Sequence, residues 1–527
     1  MDLAEKGQTG FFCRLIEPGV LSLLKKVSNI LTVHNVQSYC VGGFVRDVML
    51  ERDTADIDIA VASDALEIAS LVAASFGGRY VPLDTVNRVG RVVLVNEDVS
   101  SRRSREIDFS TFAGSIEQDL ARRDFTVDAM AVDLSQLRDD GTAVQFIDPF
   151  NGLGDLHQGV IRAVARTAFE SDAVRLLRAV RLAGELGFTI ESETEALIQH
   201  CSNLIASVAG ERVREELLRL LAIPGTVKLL PYLDKLALLT SMIPELAQEK
   251  GVKQPKEHLW DVFGHSLETV ATVDFILRQG TWQYGTEEIL AVAPWSAILV
   301  QHFDQEVSSG STRRSLLKLA ALLHDVAKPQ TKALDAGRVR FLGHADEGAS
   351  IAVNILQRLR FSAKEIKMVE TIVRHHLRPG QMSQDDELPS HRAIYRYFRD
   401  LGEAGIDTLF LNLADHLATR GPRLNPGKWQ EHSRAIEYVL TQRFEQENLI
   451  IPPKLVDGHD LIDTFGIVPG PRIGEFLEAV REAQVSGELT TREEVLSYVD
   501  RLLTLPAGTL TLKEEVVGNC KKKVGAS

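Results

Sequence analysis

The sequence predicts an α+β protein in which a small α/β domain is followed by all-α domains. Three observations predict this fold class. Between Ser38 and about Asp148, β-branched apolar runs alternate with helical stretches such as Asp64 to Phe76, the pattern of an α/β domain. From Thr167 onward, helical periodicity dominates. The chain of 527 residues also has room for roughly three or four domains of about 100–200 residues each.

Composition and charge are those of an ordinary globular protein. Hydrophobic residues make up 44% and charged residues 25% of the chain. The longest apolar stretch, Ile289 to Val300, is too short to cross a bilayer, and the first residues do not resemble a secretory signal. Four scattered cysteines form neither a metal-ligand pair nor a disulfide framework, which predicts a cytoplasmic protein. The net charge of −14 disfavours bulk coating of nucleic acid but permits a local basic groove.

The first elements are a helix and a glycine-rich turn. Residues 1–35 carry apolar residues at helical spacing, which predicts an amphipathic helix on the outside of the first domain. Gly42 and Gly43 then follow a short apolar run and precede Arg46. Glycines let a backbone approach a triphosphate, a helix start favours its negative charge, and an arginine one turn later can bind phosphate oxygens. A Gly-Gly pair alone is more often a plain turn.

Two carboxylates follow at strand spacing. Asp56 and Asp58 stand two residues apart, so both project from one face if this segment is a strand. Two such carboxylates can hold a pair of divalent cations about 3.5–4 Å apart, as in phosphoryl transfer. An Asp-x-Asp alone is more often a solvated strand end. Asp108 on a neighbouring strand is either a third metal ligand or an ordinary strand residue.

The segment Tyr39 to Asp58 resembles the opening signature of the class II nucleotidyltransferases of the polymerase-beta superfamily. These are the CCA-adding tRNA nucleotidyltransferases and the bacterial poly(A) polymerases. The resemblance implies that Asp56 and Asp58 are the catalytic residues and bind two Mg²⁺ ions. It also implies that Gly43, Arg46 and Arg123 hold the triphosphate and sugar of the nucleotide.

Two more motifs continue the resemblance through the head. Leu120 to Met130 resembles the second motif of the family, except that Asp128 stands where the family usually has Asn. Arg122 and Arg123 beside an aspartate could otherwise form a surface ion pair. Asp148 to Leu156 resembles the third motif, and its proline and glycines predict a turn-rich connector between head and neck.

A base-selecting motif is predicted at the start of the neck. Asp172, Arg175, Arg178 and Arg181 stand three apart, which predicts a stripe along one helix. This stripe is either a solvent-exposed face or a surface that recognises bases, because a carboxylate and a guanidinium can bind the edges of cytosine and adenine. The resemblance implies that Asp172 and Arg175 read the base and that Arg178 and Arg181 support them.

Two further details concern the neck. The family usually has Glu-Asp where this chain has Ser171 and Asp172, so the supporting contact of that glutamate is missing. Glu211 to Leu217 resembles the fifth motif, a helix that steadies the neck. The five motifs therefore occur in the order of the family between about residues 38 and 220.

A second group of metal-binding side chains follows in a helical region. Any one histidine is more often structural than a ligand, but the adjacent His324 and Asp325 are less common as a structural pair. The series resembles the HD phosphohydrolase domain. By this resemblance, four residues bind a divalent transition metal directly: His265, His324, Asp325 and Asp415. Three more contact a phosphate or a second ion: His344, His375 and His376. The site is either an active phosphohydrolase or an inherited architectural domain.

The predicted divisions follow these motifs. They are an N-terminal helix (1–35), a nucleotidyltransferase head (36–160), a helical neck that selects bases and binds RNA (161–250), an HD domain (251–425), a helical tRNA-binding tail (426–505) and a flexible tail (506–527).

The predicted function is template-independent addition of C and A, as CCA or part of it, to the tRNA 3′ end from CTP and ATP. The connection between Asp108 and Arg122 is short, which resembles the CC-adding subtype. Poly(A) polymerase and A-adding activity remain alternatives within the family. Outside it, the chain could be chiefly an HD phosphohydrolase or a non-catalytic RNA-binding factor.

Overall fold

The computed structural model describes residues 12–53, 56–94, 105–137, 144–335, 337–382, 388–445 and 453–504. The predicted flexible tail at 506–527 lies outside these residues. The chain forms two compact units, one of residues 1–223 with 229–242 and the other of residues 224–228 with 243–527. No helix in the described ranges combines the length and apolar character needed to cross a membrane.

The first unit contains a seven-stranded mixed sheet. Its strands are β1 (Ser38–Val41), β2 (Asp56–Val61), β3 (Arg79–Asp84), β4 (Val89–Leu94), β5 (Arg105–Thr111), β6 (Ala131–Asp133) and β7 (Phe146–Ile147). Their order across the sheet is β3-β4-β5-β2-β1-β6-β7. β2 and β5 run parallel, and the other neighbouring pairs are antiparallel. The central position of β2 places its side chains between those of β1 and β5.

Short helices surround this sheet. They are α1 (Phe12–Leu15), α2 (Pro18–Val33), α3 (Gly43–Met49), α4 (Ala65–Phe76), α5 (Ile116–Leu120) and α6 (Gly152–Gln158). The predicted N-terminal helix corresponds to α2, which buries Leu24, Val27 and Leu31. The carboxylate of Asp64 accepts a hydrogen bond from the Leu66 amide and so caps α4.

The remainder of this unit is helical apart from a short parallel strand pair, β8 (Val160–Ile161) and β9 (Thr189–Ile190). Its helices are α7 (Ala168–Ser171), α8 (Arg175–Leu186), α9 (Ser192–Cys201), α10 (Gly210–Ala222), α11 (Leu229–Lys235) and α12 (Leu238–Met242). One prediction is corrected here. Asp172 does not share a helix with the three arginines, because it lies in extended backbone between α7 and α8.

The second unit is almost entirely helical. Its helices are α13 (Val262–Ile276), α14 (Glu287–Val292), α15 (Ala297–Asp304), α16 (Arg313–Leu323), α17 (Lys328–Thr331), α18 (His344–Arg358), α19 (Ala363–His375), α20 (Arg378–Gln381), α21 (His391–Leu401), α22 (Ala404–Arg420), α23 (Pro426–Glu445), α24 (Gly458–Phe465), α25 (Pro471–Val485) and α26 (Arg492–Leu503). Two hairpins join them, β10 (Glu306–Ser308) with β11 (Ser311–Thr312), and β12 (Lys332–Asp335) with β13 (Arg338–Phe341). α13, α16 and α22 pack together in its core.

The last three helices have their own small core, which includes Leu461, Phe476 and Val495. A row of ion pairs connects α25 and the turn after it to α21. The pairs are Arg392 with Glu488, Arg396 with Glu482, and Arg399 with Glu478. This contact between α21 and the last helices is therefore largely electrostatic.

Candidate active sites

The two head carboxylates lie on one face of β2. Ile57 between them is fully buried, whereas Asp56 is exposed and Asp58 is half-buried. Burial raises the pKa of Asp58 to about 6; Arg123 opposes this rise, and the neighbouring carboxylates add to it. Crowded carboxylates are stabilised by a bound cation. The residues therefore fit the Mg²⁺ ions that the sequence predicts.

The glycine turn brings Arg123 close to these carboxylates. Gly42 has a φ of +67°, and a Cβ there would lie 2.6 Å from Nη1 of Arg123 and 3.5 Å from Oδ2 of Asp58. A side chain at this position would therefore be strained by the backbone conformation and would displace the Arg123 guanidinium. Gly43 begins α3, and its Cβ would lie 3.9 Å from the same Asp58 oxygen. The structure thus brings the glycine turn, Asp58 and Arg123 together.

Asp108 lies directly beside Asp58 in the parallel pairing of β2 with β5. This is where a third metal ligand is expected. Its two oxygens, however, accept hydrogen bonds from Arg91 of β4, at 2.7 Å from Nε and 2.8 Å from Nη2. Arg91 also forms an ion pair with Glu106. Asp108 is therefore held by a guanidinium, and its role as a third ligand stays a prediction.

Arg46 is buried and engaged by carboxylates. Its Nε donates to Asp47 at 2.8 Å and its Nη1 donates to Asp128 at 2.7 Å. Asp128 thus occupies the position of the usual asparagine and makes an ion pair there. Burial raises the pKa of Asp128, although Arg46 lowers it. A direct contact between Arg46 and a triphosphate stays a prediction, because its guanidinium already has these two partners.

The predicted base reader is held by the helix of the fifth motif. Arg212 of α10 donates from Nη1 and Nη2 to the two oxygens of Asp172, each at 2.8 Å. Burial raises the pKa of Asp172, but the bonds and charge of Arg212 outweigh this and lower it. Nε of Arg175 lies 4.0 Å from the same carboxylate. Sequence reasoning missed Arg212, although it lies within the quoted motif.

Arg175 connects the neck to the head. Its Nη2 donates to the backbone carbonyl of Arg122 at 2.8 Å, and its Nη1 donates to the carbonyl of Ala168 at 3.2 Å. The hydroxyl of Ser171 also accepts from Nη1, at 3.3 Å. Ser171 therefore supports Arg175, at the position where the family usually has Glu. Because Arg122 precedes Arg123, the predicted base-reading arginine is held next to the residue that faces Asp58.

Arg178 and Arg181 share a buried partner. Glu216 of α10 accepts from Nε of Arg178 at 3.3 Å and from Nε of Arg181 at 2.6 Å. Arg178 also donates to Asp124 at 2.9 Å. Both arginines are therefore paired with Glu216 or Asp124, and their predicted support of Asp172 and Arg175 stays a prediction.

The predicted metal ligands of the second unit converge on Asp325. Nε2 of His265 lies 3.5 Å from this carboxylate and 3.0 Å from Asp415, and Nε2 of His324 lies 3.2 Å from Asp325. His344 and His376 approach its other oxygen at 3.5 Å and 4.0 Å. Their ligand atoms form two potential metal-binding groups, His265-His324-Asp325 and Asp325-His344-His376.

The backbone orients three of these imidazoles. Nδ1 of His324, His344 and His376 each contacts the carbonyl of the residue three positions earlier, at 2.8, 2.6 and 2.7 Å. This contact directs each Nε2 towards Asp325, the arrangement in which proteins hold metal-binding histidines. The Nε2 atoms of His265 and His324 are buried and make no well-aligned hydrogen bond in the described chain. The residues therefore fit a divalent metal ion.

The protonation of these histidines depends on burial and on the charge of Asp325. Burial lowers the pKa of His376 to about 4, and it also lowers the pKa of His265 and His344. Burial alone would lower the pKa of His324 too, but the Asp325 charge raises it to about 9. Metal ligation needs a neutral imidazole, so binding would displace a proton from His324.

His375 is the predicted residue that lies outside this cluster. It is half-buried at the end of α19, and burial lowers its pKa, followed by the nearby charges of Arg378 and Arg374. The groups of ligand atoms in the described chain do not include it. A role for His375 at the phosphate stays a prediction without support from its position.

The cluster opens into a cavity of about 630 Å³. Sequence reasoning missed several of the residues that line it, which are His258, Lys328, Asn412, His416, Arg420 and His432. Lys328 follows Asp325 by three residues in the sequence, and its Nζ lies 2.6 Å from that carboxylate. The other five come from separate segments, so spacing gave no signal for them.

Comparison with protein families identifies four segments. Residues 38–162 match the Poly A polymerase head domain, and residues 187–250 match the RNA and SrmB-binding site of polymerase A. Residues 286–420 match the HD domain, and residues 439–499 match tRNA nucleotidyltransferase domain 2.

Individual relatives and solved structures give the same result. The chain is 34% identical to the A-adding tRNA nucleotidyltransferase of Deinococcus radiodurans, covering 88% of this chain and 94% of the relative. It is 33% identical to the CC-adding tRNA nucleotidyltransferase of Thermus thermophilus, over 88% of this chain and 93% of the relative. The fold resembles that of the Thermotoga maritima CCA-adding enzyme in complex with tRNA, with a TM-score of 0.57 and 22% identity over 95% of this chain and 99% of the other. The chain therefore belongs to the tRNA nucleotidyltransferases and is an enzyme with an HD domain.

Proposed function

We propose that this enzyme adds part of the CCA sequence to the 3′ end of tRNA from CTP or ATP. The observation that carries the proposal is the connection between the two predicted halves of the site. Arg175 is bonded to the carbonyl of Arg122 at 2.8 Å, and the adjacent Arg123 faces Asp58. A base at Asp172 and Arg175 and a phosphate at Asp58 therefore fall within reach of one nucleotide.

The residues of the head divide the work of phosphoryl transfer. Asp56 and Asp58 would hold Mg²⁺, which would neutralise charge during the attack of the RNA 3′-hydroxyl on the α-phosphate and the departure of pyrophosphate. Arg123 lies beside these carboxylates and can bind the triphosphate. Gly42 has no Cβ and so leaves room for the Arg123 guanidinium beside Asp58. Arg46 holds Asp128 and so keeps this wall of the site in place.

Base selection rests on hydrogen bonds of side chains. Asp172 can accept from the amino group of cytosine or adenine, whereas uracil and guanine present a carbonyl oxygen at that position. Arg212 and the carbonyl of Arg122 hold the two reading side chains. The enzyme therefore selects nucleotides without a template strand.

Addition of CC is the form of the activity that we propose first. Relatives that match over most of this chain include one A-adding and three CC-adding enzymes by name. The connection between Asp108 and Arg122 supports this choice, because it is short and contains α5, which a capping box closes at Ser115. A short capped helix leaves little room for a flexible loop that switches from C to A.

The test is extension of three tRNA substrates that end before the CCA, after C and after CC. Each is incubated with CTP alone, ATP alone and both, and the products are sized. A CC-adding enzyme adds two residues from CTP to the first substrate and nothing to the third. Addition of A to the third substrate alone would replace this proposal by A-adding activity, and long products from ATP would identify a poly(A) polymerase.

We also propose that the HD domain is an active, metal-dependent phosphohydrolase. The specific support is the buried cluster around Asp325 with its backbone-oriented imidazoles, which opens into a cavity large enough for a nucleotide. An architectural domain would have no need for these contacts. Release of inorganic phosphate from 3′-AMP in the presence of Mn²⁺ or Ni²⁺ tests this activity. Its loss in Asp325→Asn, with nucleotide incorporation unchanged, is the expected result.

Compartment is a further part of the proposal. Cys40 and Cys201 are buried free thiols, which suits a reducing environment. The cytoplasm, where CTP, ATP and tRNA occur together, is the compartment that we propose.

A further inference from the structure

The cavity of the HD domain contains a cationic side chain that the metal cluster does not use. Arg420 lies at the end of α22, is half-buried and lines this cavity. Its side chain makes no hydrogen bond or ion pair with any residue in the described part of the chain. Because Arg420 has no carboxylate partner, its charge is left to be compensated by water or by a ligand in the cavity.

The other two strong cations of the cavity are already paired. Nζ of Lys328 lies 2.6 Å from Asp325 and donates to Gln254 at 2.7 Å. Nε of Arg340 lies 3.0 Å from Asp335. Among the described lysines and arginines that line this cavity, Arg420 is therefore the one whose charge is left for a ligand.

A stacked pair of histidines lies near Arg420, whose charge acts on both rings. His416 lies one helical turn before it, and its ring is stacked on that of His432 with centroids 4.4 Å apart and planes inclined by 16°. Both rings line the cavity, and His432 is anchored by a hydrogen bond to the backbone of Asn412. Asp415, a predicted metal ligand, directly precedes His416 in the sequence. Arg420 therefore lines the same cavity as the stacked histidines and the metal cluster.

We propose that Arg420 is a second phosphate subsite, so that the HD domain takes ribonucleotides carrying two phosphates, one at the metal cluster and one at this guanidinium. This inference rests on the proposed phosphohydrolase activity. A cavity of about 630 Å³ exceeds the need of one phosphate group and suits a whole nucleotide. Arginine binds phosphate through two parallel hydrogen bonds, which fixes the orientation of such a substrate.

The reaction itself is ordinary hydrolysis of a phosphomonoester. The oxygen of water forms a new bond to phosphorus, and the bond between phosphorus and the ribose 2′- or 3′-oxygen breaks. A proton from the water ends on the ribose oxygen, and inorganic phosphate leaves. The phosphate at Arg420 takes no part in this exchange and serves to position the substrate.

The experiment compares release of phosphate from adenosine 3′-monophosphate and adenosine 3′,5′-bisphosphate, with the products identified. We expect the wild-type kcat/KM to be at least about tenfold higher for the bisphosphate. Arg420→Ala should reduce this ratio to about one while the monophosphate is hydrolysed within about twofold of the wild-type rate, and Arg420→Lys should restore part of it. Arg434→Ala, an exposed arginine of α23 that does not line the cavity, should leave the ratio unchanged.

Two further experiments distinguish an RNA end from a free nucleotide as the substrate, and failure of the subsite from failure of the phosphohydrolase proposal. A short RNA with a 3′-phosphate carries its second phosphate in the RNA backbone. If the enzyme prefers this RNA and Arg420→Ala removes the preference, the substrate is an RNA end. If the enzyme prefers only the bisphosphate, the substrate is a free nucleotide. Equal wild-type rates on the mono- and bisphosphate, or an unchanged ratio in Arg420→Ala, would overturn the subsite. If neither nucleotide is hydrolysed, the phosphohydrolase proposal fails. Calorimetric affinities of wild type and Arg420→Ala for both nucleotides then decide the subsite, and equal affinities overturn it.

Discussion

The contact between Arg212 and Asp172 gives the sharpest prediction for base selection. Arg212 makes two hydrogen bonds of 2.8 Å to this carboxylate, but its side chain is 49% exposed. The pair should therefore contribute only about 0–1 kcal/mol to folding. Its contribution to orienting Asp172 should be larger, because the carboxylate must be held in place to accept from the base.

A hydrogen bond with a charged partner is worth about 1.5–3 kcal/mol. If Arg212→Ala lets Asp172 rotate away from the base, kcat/KM for the correct nucleotide should fall by about 10- to 150-fold. Incorporation of UMP and GMP should fall much less, so the preference for the correct nucleotide over UTP and GTP should become smaller. Arg212→Lys keeps the charge but loses the forked geometry, and it should give an intermediate result.

Single-nucleotide incorporation with each of the four nucleotides measures this effect. Arg219→Ala is the matched control, since Arg219 is an exposed arginine on the same helix, α10. Thermal unfolding should differ little among the variants. Unchanged discrimination in Arg212→Ala would refute the assignment of Asp172 as a reader that depends on this clamp.

Three other predictions concern metal, core and tail. The pKa of Asp58 is raised from 3.8 to about 6, chiefly by burial, so its contribution to stability is present below pH 3.8 and lost as the pH rises through about 6. Mg²⁺ should therefore raise the Tm more at pH 8 than at pH 5, and Asp58→Asn should remove this difference in thermal unfolding. Glu216→Ala leaves two arginines short of a buried partner and should lower the free energy of unfolding by about 2–4 kcal/mol, measured by denaturant titration; no change would argue against a buried network. Arg396→Glu should increase hydrogen exchange in α25, because it places like charges at its contact with Glu482, and exchange that matches the wild type would contradict an electrostatic contact.

Local patterns predicted the parts of the sites that depend on short spacing. Asp56 and Asp58 share a face because strand geometry alternates every residue, and His324 and Asp325 meet because they are adjacent. Neither inference needed the rest of the fold. Lys328 could have been placed in the same way, because it is joined to Asp325 within one turn of the backbone.

Side chains with distant partners could not be placed in this way. Arg46 bonds Asp128, which is 82 residues away, and so a residue expected at the triphosphate is engaged elsewhere. Asp172 was wrongly assigned to a helix. Arg212, which holds its carboxylate, lies 40 residues later on α10. Spacing within one segment contains no information on either contact. His416 and His432 likewise meet only when α22 and α23 pack together.

The acceptor of Arg175 on the head is a main-chain oxygen and not a side chain. Every amino acid carries that oxygen, so the identity of residue 122 can change while the attachment of the nucleotide reader stays intact. What must be preserved is the path of the polypeptide through this point. If Arg175 reads the base as we propose, fidelity depends partly on the shape of this loop, which a comparison of residue types alone would overlook.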